Sequence, residues 1–530
     1  MGARAQRRPD RASSAVRHDT LAKRWLSTPS ELDAAPEDLA TEEGVMPTGE
    51  WIALLGSVAH VVIAIVAAVY IASNRKPSSA IAWIMAIVFI PYIGILFFLL
   101  IGNWRLPKHR REKQAYVSEL FLERTKGLHL VSHADKWPDW LPTIVTLNRN
   151  LGALPMVGGN TAELYPVYRE SIQAMADAID TAERYVYIEF FILVDDEWTA
   201  PIIEACERAC ARGVQVRVLS DHIAQFSYPN RKGTVARFKA MGAHYLPMLP
   251  IQPFKKHYRR PDLRNHRKLV VVDGLIGFVG SQNLIIDHYH QKKNIQRGLH
   301  WKELMCRIEG PAVREIQAVF VTDWYSECDE LLLPEVGDIQ LGELDATKLD
   351  MQMVPSGPSF ENDNNLKLFA ALFQNARRRI SVTSPYFVPD DSIQMALVTA
   401  GARGLDVELF VSEISDQFMV YHAQRSYYEE LLRAGVKIYA YAAPTILHAK
   451  HMTIDEDVSV IGSSNMDIRS LSLHMEMMMM VHGKEFCDRM RAVEDSYRAN
   501  SKQIHLDEWL KRPTSEKVFD NLMRLTSSLQ

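Results

Sequence analysis

A stretch of 19 residues occurs twice in this chain, and that repeat constrains the fold more than any other feature. Asn265–Asn283 reads NHRKLVVVDGLIGFVGSQN and Leu447–Asn465 reads LHAKHMTIDEDVSVIGSSN. Counted from each His, Lys lies two residues on, Asp seven, Gly-Ser fourteen and fifteen, and Asn seventeen. The two sets are His266, Lys268, Asp273, Gly280, Ser281, Asn283 and His448, Lys450, Asp455, Gly462, Ser463, Asn465. A single His-x-Lys-x4-Asp arises easily by chance in 530 residues, but six positions matched twice at identical offsets do not.

The repeat extends beyond these segments. ARGVQVRVLSD (Ala211–Asp221) recurs as ARGLDVELFVSE (Ala402–Glu413), each a helix end with Gly giving way to an apolar strand. KAMGAHYLPML (Lys239–Leu249) recurs loosely as LRAGVKIYAYA (Leu432–Ala442), and YIEFFILVDDE (Tyr187–Glu197) parallels SPYFVPDD (Ser384–Asp391). Helices alternating with short apolar strands predict an α/β fold. Two copies predict two pseudo-symmetric domains, residues 156–345 and 346–530, each a mixed sheet flanked by helices and facing the other across a pseudo-twofold axis.

Residues two apart on a strand point to the same face. His266 and Lys268 therefore project together, as do His448 and Lys450. After each apolar run the chain turns and returns, bringing Gly-Ser-x-Asn back beside the His-Lys pair. Two such sets can enclose one phosphate. The lysines supply positive charge where negative charge builds. One imidazole attacks phosphorus and the other shuttles the proton of the leaving or entering alcohol. Ser281, Asn283, Ser463 and Asn465 are expected as neutral phosphate-binding donors. Asp273 and Asp455 complete the motif but sit at the turn end of the strand, where a structural role is expected. No metal or cofactor is expected, because the lysines carry the charge.

Two apolar runs precede the repeat. Trp51–Ile71 has His60 as its only ionisable group other than Tyr70, and Ile81–Ile101 has no charged residue. Each is long enough to span a bilayer as a helix. The link Ala72–Ala80 is short, so residues 51–102 are expected to form a transmembrane hairpin, with Pro91 and Gly94 interrupting its second arm. Arg105, Lys108, Arg110, Arg111 and Lys113 follow the second run, against Arg75 and Lys76 in the link. The excess of positive charge predicts a cytoplasmic body on an inner (cell) membrane, with two passes. Residues 1–50 are polar and expected as a disordered tail, and 103–155 as a linker.

The formal net charge is −4, so there is no global basic excess, and no nucleic-acid partner is expected. The basic residues Lys255, Lys256, Arg259, Arg260 and Arg264 are candidates for meeting anionic headgroups. The five cysteines are odd in number and widely spaced, so a disulfide framework is not expected. Met477–Met480 is expected as a buried strand.

The paired motifs resemble the phospholipase D superfamily. The hairpin, together with IEGPAV (Ile308–Val313) and TSPYFVPDD (Thr383–Asp391), resembles the bacterial-type cardiolipin synthases within it. The resemblance implies a phosphohistidine mechanism, with His266 as nucleophile and His448 as acid and base. It implies a carboxylate downstream of each motif to orient an imidazole, matched here by Glu303 and Glu476; relatives often carry Asp at the first. It also implies phosphatidylglycerol as substrate, two molecules being joined to give cardiolipin and glycerol. A phospholipase D hydrolase and a phosphatidylserine synthase-like transferase are the alternatives on the same fold.

Overall fold

The computed structural model describes residues 48–527, except 76, 91, 103–104, 125–130, 133, 153, 252–259, 333–347 and 361–362. The expected tail therefore lies almost wholly outside the described residues. The chain divides into two compact units, residues 1–84 and 85–530.

In the first unit, α1 (Thr48–Asn74) is a single helix of 27 residues, long and apolar enough to cross a membrane. Its apolar side chains are exposed, as in Ile52, Leu55 and Val69. α2 (Pro77–Phe89) begins with proline, whose missing N–H costs nothing at the first helical position. The second apolar run is not one helix. α2 stops at Phe89, Tyr92 adopts a left-handed φ of 63°, and α3 (Ile93–Ile101) follows. The sequence places a proline at 91, and proline inside a helix removes an amide hydrogen and is sterically incompatible with the preceding turn. Each piece alone is shorter than the roughly 20 residues a spanning helix needs.

The second unit is built on strands β1 (Val157–Tyr165), β2 (Tyr185–Phe190), β3 (Gln215–Asp221), β4 (His244–Met248), β5 (Lys268–Val272), β6 (Ile276–Gly280), β7 (His300–Lys302) and β8 (Met305–Glu309) in its first half. The second half supplies β9 (Leu349–Ser356), β10 (Arg379–Thr383), β11 (Phe387–Val388), β12 (Asp406–Ser412), β13 (Lys437–Tyr441), β14 (Thr445–Leu447) and β15 (His451–Ile454). It ends with β16 (Val458–Gly462), β17 (Met466–Asp467), β18 (Glu476–His482) and β19 (Ser501–Ile504). From the centre outward the first half runs β1-β8-β6-β5-β2-β3-β4, and the second runs β9-β18-β16-β15-β10-β12-β13-β19. Position for position the two orders match, with β19 added at the far edge.

Among the described residues, the mixed sheets of the two halves join into one continuous sheet of 15 strands. β1 and β9 pair antiparallel across the centre, Val157 opposite Met351 and Asn160 opposite Leu349. Each half would otherwise expose a strand edge with unpaired backbone groups, and the pairing covers both.

Both faces of the sheet are buried, so central strands such as β5 and β18 have no exposed residue. Tyr187, Leu219, Leu269, Val271 and Val279 face a core shared with helices Ala312–Cys328 and Lys484–Ala499. Val186, Ile188, Val270, Val272 and Phe278 face the opposite side, toward helices Tyr168–Asp180 and Ala200–Ala211. Ile380, Val382, Met452, Ile454, Val458 and Val460 do the same in the second half. Met477–Met480 lies within buried β18. The stretch expected as a linker carries helix Lys108–Arg124 and helix Leu141–Gly152, whose Val117, Phe121, Leu141 and Ile144 enter the cores. All five cysteines are free thiols.

Candidate active site

Each motif is a β-hairpin: β5-β6 in the first half and β15-β16 in the second. Asp273 and Asp455 sit in the turns with left-handed φ of 53° and 51°, a conformation Asp tolerates better than most residues. Their carboxylates tie the turn to the start of the neighbouring strand. Asp273 accepts from the N–H of Glu183, Arg184 and Tyr185 at 2.7–2.9 Å. Asp455 accepts from Arg377, Arg378 and Arg379 at 2.7–3.1 Å. Both therefore brace the hairpin at its end away from the histidines. Gly280 and Gly462 lie where the return strand passes β8 or β18. A Cβ there would overlap the carbonyl oxygen of Leu304 or Met477.

The histidines stand at the other end of the hairpins, on the seam between the halves. His266 donates its backbone N–H to Met475 O at 2.8 Å, and His448 donates to Lys302 O at 2.8 Å. β14, leading into His448, pairs with β7 of the first half. Asn265, before His266, bridges to Met475 of the second. The residues after those two carbonyls are Glu476 and Glu303. The carboxylates therefore cross the seam. Glu476 of the second half accepts from His266 Nδ1 at 2.9 Å, and Glu303 of the first half accepts from His448 Nδ1 at 2.7 Å. In each case Nδ1 carries the hydrogen and Nε2 keeps its lone pair.

The serines complete these pairs. Ser281 Oγ donates to Glu303 at 2.6 Å and accepts from Leu304 N; Ser463 Oγ donates to Glu476 at 2.5 Å and accepts from Met477 N. A hydroxyl has one proton, and in both serines the glutamate takes it, so they hold carboxylates rather than a phosphate. Asn283 gives Nδ2–H to Tyr289 Oη at 3.0 Å and accepts from Ile192 N at 3.3 Å, which also turns it toward its own half. Asn465 is buried, and its Oδ1 has no hydrogen-bond partner among the described residues.

Lys268 and Lys450 each donate to the carbonyl of the His two residues before, at 2.5 Å, leaving their other ammonium hydrogens for a ligand. Burial lowers Lys268 to about 7 and Lys450 to about 8, although the two glutamates oppose the shift. Burial lowers His266 well below its usual value, with Lys268, His474, Lys450 and His448 adding to the effect. His448 is also lowered by burial, but Glu303 opposes the shift. Burial raises Glu476 to about 8 against Lys268 and Ser463. At Glu303 burial acts upward too, yet His448, Lys450 and Ser281 prevail and its pKa falls below the usual value. The two halves are thus alike in geometry and unequal in charge balance.

Several contributors were not among the expected site residues, although Phe191, Tyr386 and Arg267 lie within the repeated segments. Phe191 lies edge-on to His266 with ring centroids 5.0 Å apart, and Tyr386 to His448 at 6.1 Å. Tyr289 Oη donates to Glu303 at 3.2 Å. His474, two residues before Glu476, stacks obliquely on His266 at 5.6 Å, where the first half has Trp301. Arg267, between His266 and Lys268, is buried against Asp323 and donates to Glu476 O across the seam; its counterpart is Ala449. Among the described residues, His266, His474 and Glu476 bring ligand-capable atoms within 4.8 Å of one another, although the first and last already bond each other. Of the basic residues expected to meet lipid, 255, 256 and 259 lie outside the described residues. Arg260 pairs with Asp262, and Arg264 is buried against Asp221 at 3.2 Å, so neither is a free surface charge.

Two α/β halves sharing one sheet, with a His-x-Lys set from each meeting at the seam, define the class of duplicated phospholipase D-like enzymes. Residues 175–324 and 369–496 match the family described as cardiolipin synthase, PLD-like domain, and residues 62–103 match the phospholipase D-nuclease N-terminal family. Cardiolipin synthase A of Proteus mirabilis is 31% identical over 461 residues, covering 86% of this chain and 94% of that protein. The cardiolipin synthase of Alkalihalophilus pseudofirmus is 30% identical over 461 residues, covering 86% and 90%. The solved phosphatidylserine synthase of Haemophilus influenzae shares the fold, with a TM-score of 0.54 and 14% identity over 73% of this chain and 97% of that one. This chain belongs to the cardiolipin synthase family.

Proposed function

We propose that this protein transfers a phosphatidyl group from one phosphatidylglycerol to another, giving cardiolipin and glycerol through a phosphohistidine on His266. The observation that carries the reading is the crossed pairing of each imidazole with the other half's glutamate, which makes the two motifs one site. His266 Nε2 attacks phosphorus, the P–O bond to the headgroup glycerol breaks, and His448 protonates the departing oxygen. The terminal hydroxyl of a second phosphatidylglycerol then gives its proton to His448 and attacks phosphorus, breaking the P–N bond. Lys268 and Lys450 balance charge on the non-bridging oxygens. The charge balance supports this division of labour. His266 is the more strongly held neutral, as a nucleophile requires, while ionised Glu303 favours a proton on His448.

Residues 156–345 and 346–530 are read as the two phospholipase D-like halves. The apolar runs 51–71 and 81–101 are read as two passes, with the body cytoplasmic. The break at 90–92 makes the second pass a helix pair rather than a rod.

The test is the full chain in vesicles containing phosphatidylglycerol labelled in the headgroup glycerol. Cardiolipin with one glycerol released per product supports the proposal. Phosphatidic acid alone would replace it with a hydrolase, and transfer only to added serine with a phosphatidylserine synthase-like enzyme.

A further inference from the structure

Helix Thr514–Arg524 is packed inside out. Its one fully buried residue is a charge: Asp520, 1% exposed, accepts from His422 Nδ1 at 2.8 Å, Arg425 Nε at 3.3 Å and Arg512 at 2.7 Å. Met523 packs half-buried against the core, while the helix's other apolar residues face outward. Val518, Leu522 and Leu525 follow at four- and three-residue steps on one face, with Leu525 79% exposed, and Phe519 lies beside them. Phe418, 66% exposed, extends the patch, with its ring 5.8 Å from that of Phe519. A helix that merely closed a soluble domain would turn this face inward. A contiguous apolar surface that is left out marks a docking site.

A short chain of contacts links the patch to His448. β12 ends at Ser412, whose Oγ accepts from Leu447 N, the residue before His448, at 2.8 Å. The following loop carries Asp416, which accepts from Tyr386 Oη at 2.8 Å, and Tyr386 lies edge-on to His448. Phe418 comes two residues later. From the first half, Lys293 and Arg297 reach the same loop, donating to Asp416 O and Ser415 O at 3.3 Å. With Lys292 they form an exposed basic rim.

We propose that Val518, Phe519, Leu522, Leu525 and Phe418 insert into the surface of an anionic lipid bilayer and hold the site mouth against it. An outward apolar stripe beside cations is the arrangement that binds such an interface. The lipid-substrate reading supplies the reason for docking beside the site; the test below reads the position of a dye and not turnover, so the two can fail separately.

In the full chain, with Cys210 and Cys328 changed to Ser and the other three cysteines buried, Leu525→Cys carries an environment-sensitive dye. Leu275→Cys is the control, since Leu275 is exposed at the β5-β6 turn, away from the histidines. In phosphatidylglycerol vesicles the dye at 525 should lose most of its emission to a lipid-borne nitroxide, escape iodide, and revert as the anionic lipid is replaced by phosphatidylcholine. The control should stay open to iodide. A dye at 525 quenched by iodide as strongly as the control would overturn the proposal. So would shielding from both quenchers, which would mean that protein, such as a second copy of this chain, covers the patch.

Discussion

The crossing of the carboxylates makes an uncommon demand: Glu303 should matter to departure of the leaving group and Glu476 to attack, although each lies in the other histidine's half. Glu303→Gln keeps shape and volume. The side chain is buried and receives His448 Nδ1 at 2.7 Å and Ser281 Oγ at 2.6 Å. An amide can satisfy one of these donors but removes the charge that favours protonated His448. A hydrogen bond to a charged group contributes about 1.5–3 kcal/mol, and about 1.4 kcal/mol is tenfold in rate. Glu303→Gln should therefore slow turnover of phosphatidylglycerol by about 10- to 150-fold. The informative assay replaces the glycerol headgroup by p-nitrophenol, which leaves without a proton. On that substrate, the burst of nitrophenol from Glu303→Gln should return close to the unmodified protein's rate. Glu476→Gln, acting on the nucleophile, should stay slow on both substrates. Equal rescue of both variants, or rescue of Glu476→Gln alone, would refute the assignment of His266 to attack and His448 to proton transfer.

Three further outcomes follow from the same geometry. Lys268 and Lys450 must be protonated to balance phosphate, and burial has brought them to about 7 and 8, so kcat/KM should fall as pH rises through 7–8 rather than near the ordinary lysine value. Asp273→Ala leaves three backbone donors without their acceptor, at about 1–3 kcal/mol for each that water cannot reach. Denaturant unfolding should show that loss, while turnover per folded molecule at low temperature persists; an inactive but equally stable variant would contradict the bracing role. Chelators should leave the rate of the purified protein unchanged, because two ammonium groups do the charge work; inhibition reversed by adding a divalent metal would overturn that view.

The residues that meet at the candidate site were legible because they are written twice at fixed spacing, and chance does not repeat six positions. The α/β halves were legible for the same reason, through recurring helix–Gly–strand text. What escaped was everything that depends on non-local pairing. Nothing around Ser281 says that its proton goes to Glu303, or that Glu303 faces His448 rather than His266. Those facts come from the β14-β7 ladder and the bridge between Asn265 and Met475, each joining residues of different halves. Arg264 read as a headgroup contact because a basic run looks like surface, yet Asp221, over forty residues earlier, buries it. The interruption of the second apolar run was legible from Pro91, although length and hydropathy alone do not register the end of one helix at Phe89 and the start of the next at Ile93.

The duplication also explains why a pseudo-symmetric site can run an asymmetric reaction. Two identical half-sites would offer phosphorus two equal nucleophiles and no committed acid. Here the shared skeleton of His, Lys, Ser and Glu is the same on both sides, and the differences lie in what surrounds it. His474 and Arg267 stand on the His266 side, where the other side has Trp301 and Ala449. A second imidazole near His266 adds to the cost of a positive charge there, holding it neutral. On the other side, Glu303 gains enough from His448 and Lys450 to stay ionised despite burial, which favours an imidazole able to carry a proton. In the proposed reaction the symmetric frame offers two histidines to one phosphorus, and the unmatched neighbours are what would set which attacks and which gives the proton.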